Sequence, residues 1–200
     1  MSLLLALAVG FVLGLRHATD ADHIAAVATM LRAERGLRGA LRTGVLWGLG
    51  HSATVLAAGA VVGLLGLRVP PWSTRACELA VAAMLVLVGL SSLRRGGARA
   101  ASPPSDARPV AVGLVHGLAG SAPLTLLALA TVPTRARAML YLLVFCAGTV
   151  AGMALLTAVL AWPLSATARA SERSYRALLT AAGLASVAMG AAVAREALVG

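Results

Sequence analysis

Six apolar stretches divide this chain, at approximately 3–31, 43–67, 76–93, 110–132, 138–162 and 176–194, and each is long enough to cross a bilayer as a helix. Lipid offers no partner to a backbone N–H or C=O, so such a chain can span only with its hydrogen bonds closed inside each segment or within a sealed barrel. Runs of this length fit helices. The expected fold class is therefore all-α, a polytopic membrane protein with six transmembrane helices. Composition agrees: 60% of residues are hydrophobic and 12% charged, about half the charged share of a soluble domain.

The charges fall between the stretches. The basic residues number 17, all arginine, against 7 acids. Connectors 32–42, 94–108 and 169–176 hold four, four and three arginines, whereas 68–75, 135–137 and the C-terminal end hold two, two and one. The richer set is expected to face the cytoplasm, which puts both termini outside the cell membrane. No basic patch is interleaved with aromatics, so nucleic acid is not an expected partner. The first apolar run lacks a basic segment before it and a clean cleavage site after it, so it reads as part of the mature protein and not as a signal peptide. Cys77 and Cys146 stand alone in apolar surroundings, without the close spacing of a redox or zinc motif.

A faint repeat links the two halves. GLRHATDAD at 14–22 aligns with GLVHGLAGS at 113–121, matching His17 to His116 and Asp22 to Ser121, and Arg94 aligns with Arg195 at a similar spacing. Each half then holds three helices, 1–93 and 110–200, joined by the polar linker 94–109 within a single transmembrane domain. A unit of three spans must repeat upside down, which is a transporter arrangement with its binding site near mid-membrane. Small residues recur four apart at Gly10/Gly14, Gly44/Gly48, Gly59/Gly63, Gly113/Gly117 and Gly148/Gly152, a spacing that lets helix backbones approach closely.

Few polar groups lie inside the stretches. His17, Asp20, Asp22 and His23 occupy the first, His51 with Ser52 and Thr54 the second, His116 with Ser121 and Thr125 the fourth, and Thr149 the fifth. All four histidines of the chain are in this set. Ionisable groups at membrane depth are costly and mark ion or proton paths. On a straight helix, taking His17 as zero, Asp20 falls at about 300°, His23 at about 240° and Asp22 at about 140°. Those directions cannot meet on one face, so the spacing predicts a first span that bends, unwinds around residues 18–21, or divides its ligands between two layers. Its length agrees: 29 residues would reach about 43 Å, more than a hydrocarbon core of about 30 Å requires.

Imidazoles with one or two carboxylates suit divalent ions such as nickel, cobalt and zinc, whereas copper(I) favours sulfur and magnesium or calcium favour oxygen. Asp20 reads equally as a direct ligand or as the orienter of a histidine. For His116, with no acid beside it, a structural hydrogen bond between helices competes with a ligand role. Arg16 reads as a counter-charge for an aspartate, and Glu78 as an interfacial charge.

His17-x4-Asp22-His23, in the context RHATDADHI, resembles the signature of the nickel/cobalt transporter family. GLGHSATVL at 48–56 is similar to that family's second motif, and VHGLAGSAP at 115–123 to the second half of its short six-helix, urease-accessory-like branch. The resemblance implies that His17, Asp22 and His23 bind the metal in the membrane and that His51 contributes to selectivity or the path. The candidate metal set is thus His17, Asp20, Asp22, His23, His51 and His116. Larger members carry the motif in a second helix, whereas here it lies in the first, so the loss of one leading helix preserves its orientation. The second half lacks acids in its spans, and the linker lacks the histidines common in efflux relatives.

The function expected is import of Ni²⁺ or Co²⁺ by a secondary transporter, with the ion as substrate, no cofactor and the lipid bilayer as surroundings. A monomer and a homo-oligomer are both open. No G-x-x-x-x-G-K-[ST] nucleotide motif is present, and an inside-negative potential of about 100 mV favours entry of a divalent ion by about 4.6 kcal/mol. The rivals are a nickel/cobalt exporter of similar build and an intramembrane metalloenzyme. Four histidines are too few for the several histidine boxes of a di-iron enzyme, and a serine nucleophile at Ser121 has His116 badly placed as its base.

Overall fold

In the computed structural model the described residues are 3–31, 36–65, 70–94, 106–131 and 134–199, with side chains between 120 and 131 and at 63–65 and 71 excluded. These residues form seven helices: α1 (Leu3–His17), α2 (Ala21–Met30), α3 (Gly36–Leu65), α4 (Pro71–Arg94), α5 (Ala107–Thr131), α6 (Arg135–Ala170) and α7 (Glu172–Val199). Among the described residues none forms a strand. Each expected apolar stretch coincides with one helix, or in the first case with the pair α1 and α2. Most of the proposed linker, 95–105, lies outside the described residues.

Four helices are long and apolar enough to cross a membrane: Gly36–Val62 in α3, Trp72–Arg94 in α4, and the whole of α6 and α7. The pair α1 and α2 qualifies jointly, bent by 56° at its break, which makes up to five spans. Exposure is inverted relative to a water-soluble protein. Leu87, Leu155 and Val159 are 66%, 63% and 59% exposed, while His23, His51, His116, Thr149, Thr157 and Ser186 are buried. Lipid makes that inversion stable, because apolar side chains face it without cost while polar groups need partners inside the protein. The chain is a multi-pass membrane protein.

Helix α3 lies centrally against α5 and α6, α1 packs on α6, α4 pairs with α7, and α2 reaches α7 and α4. Glycines set these approaches. A Cβ at Gly14 would stand 2.1 Å from the Phe145 carbonyl oxygen, at Gly113 2.2 Å from that of Trp47, at Gly50 2.4 Å from that of Val110, and at Gly148 2.2 Å from that of Phe11. Four of the five glycine pairs read from the sequence lie at such crossings; Gly63 of the remaining pair lies outside the described side chains. Hydroxyls add links between helices, from Thr54 Oγ1 to the Leu114 carbonyl (2.9 Å) and from Ser186 Oγ to that of Leu85 (2.8 Å). Such contacts replace the hydrophobic drive that lipid removes.

Gly148→Ala is expected to destabilise the α1–α6 contact by about 1–3 kcal/mol, because the new methyl meets backbone that cannot swing aside. The measurement is the midpoint of thermal unfolding in detergent. An unchanged midpoint would mean that these two backbones do not touch.

Candidate metal centre

The site begins at the break between α1 and α2. No proline or glycine causes it; the residues are Ala18, Thr19 and Asp20. Thr19 turns its hydroxyl back to the Arg16 carbonyl at 2.6 Å, and the Thr19 and Asp20 amides bond the Arg16 and His17 carbonyls. Short polar side chains of this kind offer the backbone an alternative to the helical ladder. Asp20 is extended (φ −62°, ψ 147°) and precedes the first residue of α2, but its carboxylate does not cap the helix. Instead its Oδ2 lies 2.8 Å from His17 Nδ1. The break falls within the expected residues 18–21, and its effect is that His17 stays on α1 while Asp22 and His23 turn with α2, so groups that a straight helix would scatter come together.

His17 Nε2 faces His51 Nε2 at 3.2 Å. Asp22 spans two imidazoles, with Oδ1 2.9 Å from His23 Nδ1 and Oδ2 2.9 Å from His116 Nε2. The Asp22 Oδ1 also accepts the His23 backbone N–H at 2.8 Å. The outcome is two sets of potential metal donors, His17/His23/His51 and Asp22/His23/His116, and within each set the ligand atoms lie within 4.8 Å of one another. His23, His51 and His116 are at most 2% exposed. Their remaining ring nitrogens, His23 Nε2, His51 Nδ1 and His116 Nδ1, are buried and without a hydrogen-bond partner.

All six candidate residues therefore gather in one place, brought by α1, α2, α3 and α5. Asp20 sits on a histidine nitrogen, the orienting arrangement. His116, which the sequence left beside no acid, receives Asp22 from the other half. Arg16 is exposed and pairs with neither Asp20 nor Asp22, in contrast to the counter-charge role expected of it; the carboxylates take imidazole partners instead. Ser121 and Thr125 fall among the side chains outside the description.

Two aromatic residues were not singled out by the sequence. Trp47, fully buried on α3 one turn before His51, has its ring 5.4 Å from that of His23 and 6.1 Å from that of His116. Phe145 of α6 lies 5.6 Å from the His17 ring. The i, i+4 spacing of Trp47 and His51 was the available signal.

An open cavity of about 680 Å³ reaches the site and is lined by His17, Asp20, Asp22, Thr74, Arg75, Glu78 and Glu196 among others. Four of the chain's seven acids line it against one arginine. Glu78 thus faces the cavity, a placement the interfacial reading did not foresee, because the start of α4 and the end of α7 meet there only in the folded chain. In a protein of net charge +10, this concentration of carboxylates selects for cations.

Comparison with known proteins accords with this chemistry. A family model described as "High-affinity nickel-transport protein" (NicO) matches residues 3–94, the segment that holds the broken helix and His51. The chain is also 32% identical over 207 residues to "Urease accessory protein UreH" of Bacillus sp. (strain TB-90), a match that takes in 95% of this chain and 90% of that protein. No solved structure matches it. With a nickel-transport family matched on the segment that carries five of the six gathered residues, and a relative alike over nearly its whole length, this chain belongs to the NicO nickel-transport family.

Proposed function

We propose that the protein is a secondary transporter that imports Ni²⁺ or Co²⁺ across the cytoplasmic membrane, with His17, Asp20, Asp22, His23, His51 and His116 as its metal site. The observation that carries this reading is the trio His17, His23 and His51, the last two buried in the bundle and the first lining a cavity rich in carboxylates. Two nitrogens each about 2.1 Å from one ion lie about 3.0–3.4 Å apart, and the His17 and His51 nitrogens are at 3.2 Å already. Asp20 on His17 Nδ1 and Asp22 on His23 Nδ1 leave the Nε2 lone pairs for the ion, the carboxylate–histidine–metal relation that fixes ring orientation and raises basicity. Imidazole-rich donor sets favour nickel and cobalt over calcium or magnesium.

The same reading includes six spans in two inverted halves. Gly14 meets Phe145 and Thr149 as Gly113 meets Trp47 and His51, with offsets of 99 and 98 positions. Gly148 meets Phe11 as Gly50 meets Val110, and Gly89 meets Gly183 as Gly190 meets Ala82. Matched contacts at matched offsets support a common three-helix unit, with α5 as the counterpart of the broken pair. The arginine bias then puts the N- and C-termini and the mouth of the cavity outside, since Thr74, Arg75 and Glu196 lie at the ends of α4 and α7 next to the arginine-poor connector and the C-terminal end. The ion enters there, exchanges water for imidazole, and leaves inward when the halves rock. The membrane potential is sufficient to drive it.

Proteoliposomes holding the wild-type protein under an inside-negative potential are expected to accumulate radiolabelled Ni²⁺ or Co²⁺, and His17→Ala to lower the initial rate by about tenfold or more. If expression instead depletes cellular nickel and cobalt and raises resistance, transport runs outward and the import assignment fails. Trp47 supplies a direct reading of occupancy. Trp72 and Trp162 are 71% and 74% exposed, so the double variant Trp72→Phe/Trp162→Phe isolates the Trp47 emission. Open-shell Ni²⁺ bound beside His23 is expected to quench most of that emission, Mg²⁺ to leave it unchanged, and His23→Ala to abolish the effect. Full emission at saturating Ni²⁺ would count against an ion at this place.

A further inference from the structure

The cavity opens at one end of the bundle, between the start of α4 and the end of α7. The opposite end holds an apolar plug. Tyr175, near the start of α7, is 21 positions from Glu196, which is about 31 Å along the helix. Its side chain is 3% exposed, in one buried cluster with Met30 and Leu31 at the end of α2 and Leu164 of α6, and Leu179 packs against that cluster. On the two-half reading Tyr175 and Leu179 are the counterparts of Thr74 and Glu78, at an offset of 101. Two residues that line an open cavity at one end are thus matched by a ring and an isobutyl group that pack into the core at the other. Helix α2 joins the two levels. His23 lies at its start, and Leu31, eight positions on, stands about 12 Å further along.

Two features loosen the plug. A small void of about 80 Å³ beside it has an apolar lining, to which α2 contributes Ala28, the residue after α2 contributes Leu31, and α6 and α7 contribute Pro163 and Ala182 among others. Side chains on a void already lack partners on one side, so they lose less when its walls part. Pro163 offers no N–H to the Val159 carbonyl, so the long helix α6 misses one rung of its ladder at this level and can bend there.

We propose that this plug is the inner gate of the transporter and that the structure is its outward-open state. The proposal rests on the transport reading above and deepens it by placing the barrier. The ion reaches the site from the cavity, and its way on is shut until the end of α2 parts from α6 and α7. Leucine and tyrosine faces do not solvate a divalent ion, and water does not fill so narrow an apolar passage, so packing alone seals it. The α2 wall belongs to one half, and the α6 and α7 walls belong to the other. Rocking of the halves therefore opens the plug.

Bridging the plug in the full-length protein tests this. Ala28→Cys/Ala182→Cys joins the two halves across the void with little change in side-chain size, and Leu160→Cys/Leu178→Cys makes a bridge at the same void within one half. A short bifunctional methanethiosulfonate forms the bridges, intact mass confirms them, and a reductant removes them; wild type, with its own Cys77 and Cys146, is the reagent control. Bridging Ala28→Cys/Ala182→Cys is expected to slow Co²⁺ uptake into proteoliposomes about tenfold or more, to leave equilibrium Co²⁺ binding in detergent within about twofold, and to be reversed by the reductant. The bridge within one half is expected to leave uptake unchanged. Undiminished uptake across a confirmed bridge between the halves overturns the proposal. Equal loss from both bridges overturns it too, since general stiffening would then be the cause, as does loss of binding, since a shut inner gate leaves the cavity route open. If the alanine pair misfolds, Leu31→Cys/Leu179→Cys spans the same halves, and failure of either pair to bridge would mean that α2 and α7 do not meet at a plug. Wild type that takes up no Co²⁺ refutes the transport reading itself, an outcome distinct from these.

Discussion

Lipid will not solvate an imidazole or a carboxylate, and that refusal organises this molecule. Every charged or titratable group placed at mid-bundle has to find its partner among the others. The site is accordingly a closed set of pairings: Asp20 on His17, His17 facing His51, Asp22 on both His23 and His116. The nitrogens left over, on His23, His51 and His116, are buried and partnerless. Orphaned buried donors and acceptors cost free energy; an ion held as proposed above would relieve the one at His23 Nε2, whose ring partner Nδ1 is already taken by Asp22.

Bringing those groups together is the task of the rest of the fold. The side chains come from α1, α2, α3 and α5, which must lie closer than ordinary helix packing allows. Glycine at 14, 50, 113 and 148 makes that approach possible, since a Cβ at any of them would collide with a carbonyl oxygen of the facing helix. Gly113 is the clearest case, because the backbone it touches is that of Trp47 and His51. A methyl there would push α5, and His116 with it, away from the histidine of α3. Packing and chemistry are thus coupled through the same few positions.

Much of this was legible in the sequence, for identifiable reasons. Apolar run length is a local property and marks the helices. The angular scatter of His17, Asp20, Asp22 and His23 is local too, so a distorted first span was legible as one of three outcomes, and the structure takes the broken one, bent by 56°. Contacts between remote segments were not legible. Trp47 looked like any buried aromatic until α2 and α5 were laid against it, and Glu78 and Glu196 are 118 positions apart in the chain yet line one cavity. Arg16 misled because charge pairing was assumed between neighbours, whereas Asp20 and Asp22 both found imidazoles. The partner of His116 likewise comes from residue 22, across the whole linker.

The two halves also differ in a way that bears on direction. On the two-half reading, Glu78 and Glu196 correspond at an offset of 101 to Leu179 and Arg95. The acids that line the cavity thus have an apolar and a basic residue as their counterparts in the sequence repeat. A cation arriving at the cavity mouth meets a negative funnel that raises its local concentration and capture rate. Fixed charges at a mouth cannot drive net flux, so the equilibrium is left to the gradient and the membrane potential. What the carboxylates change is the rate of capture at the mouth they line, which on the import reading proposed above is the side from which the ion is taken.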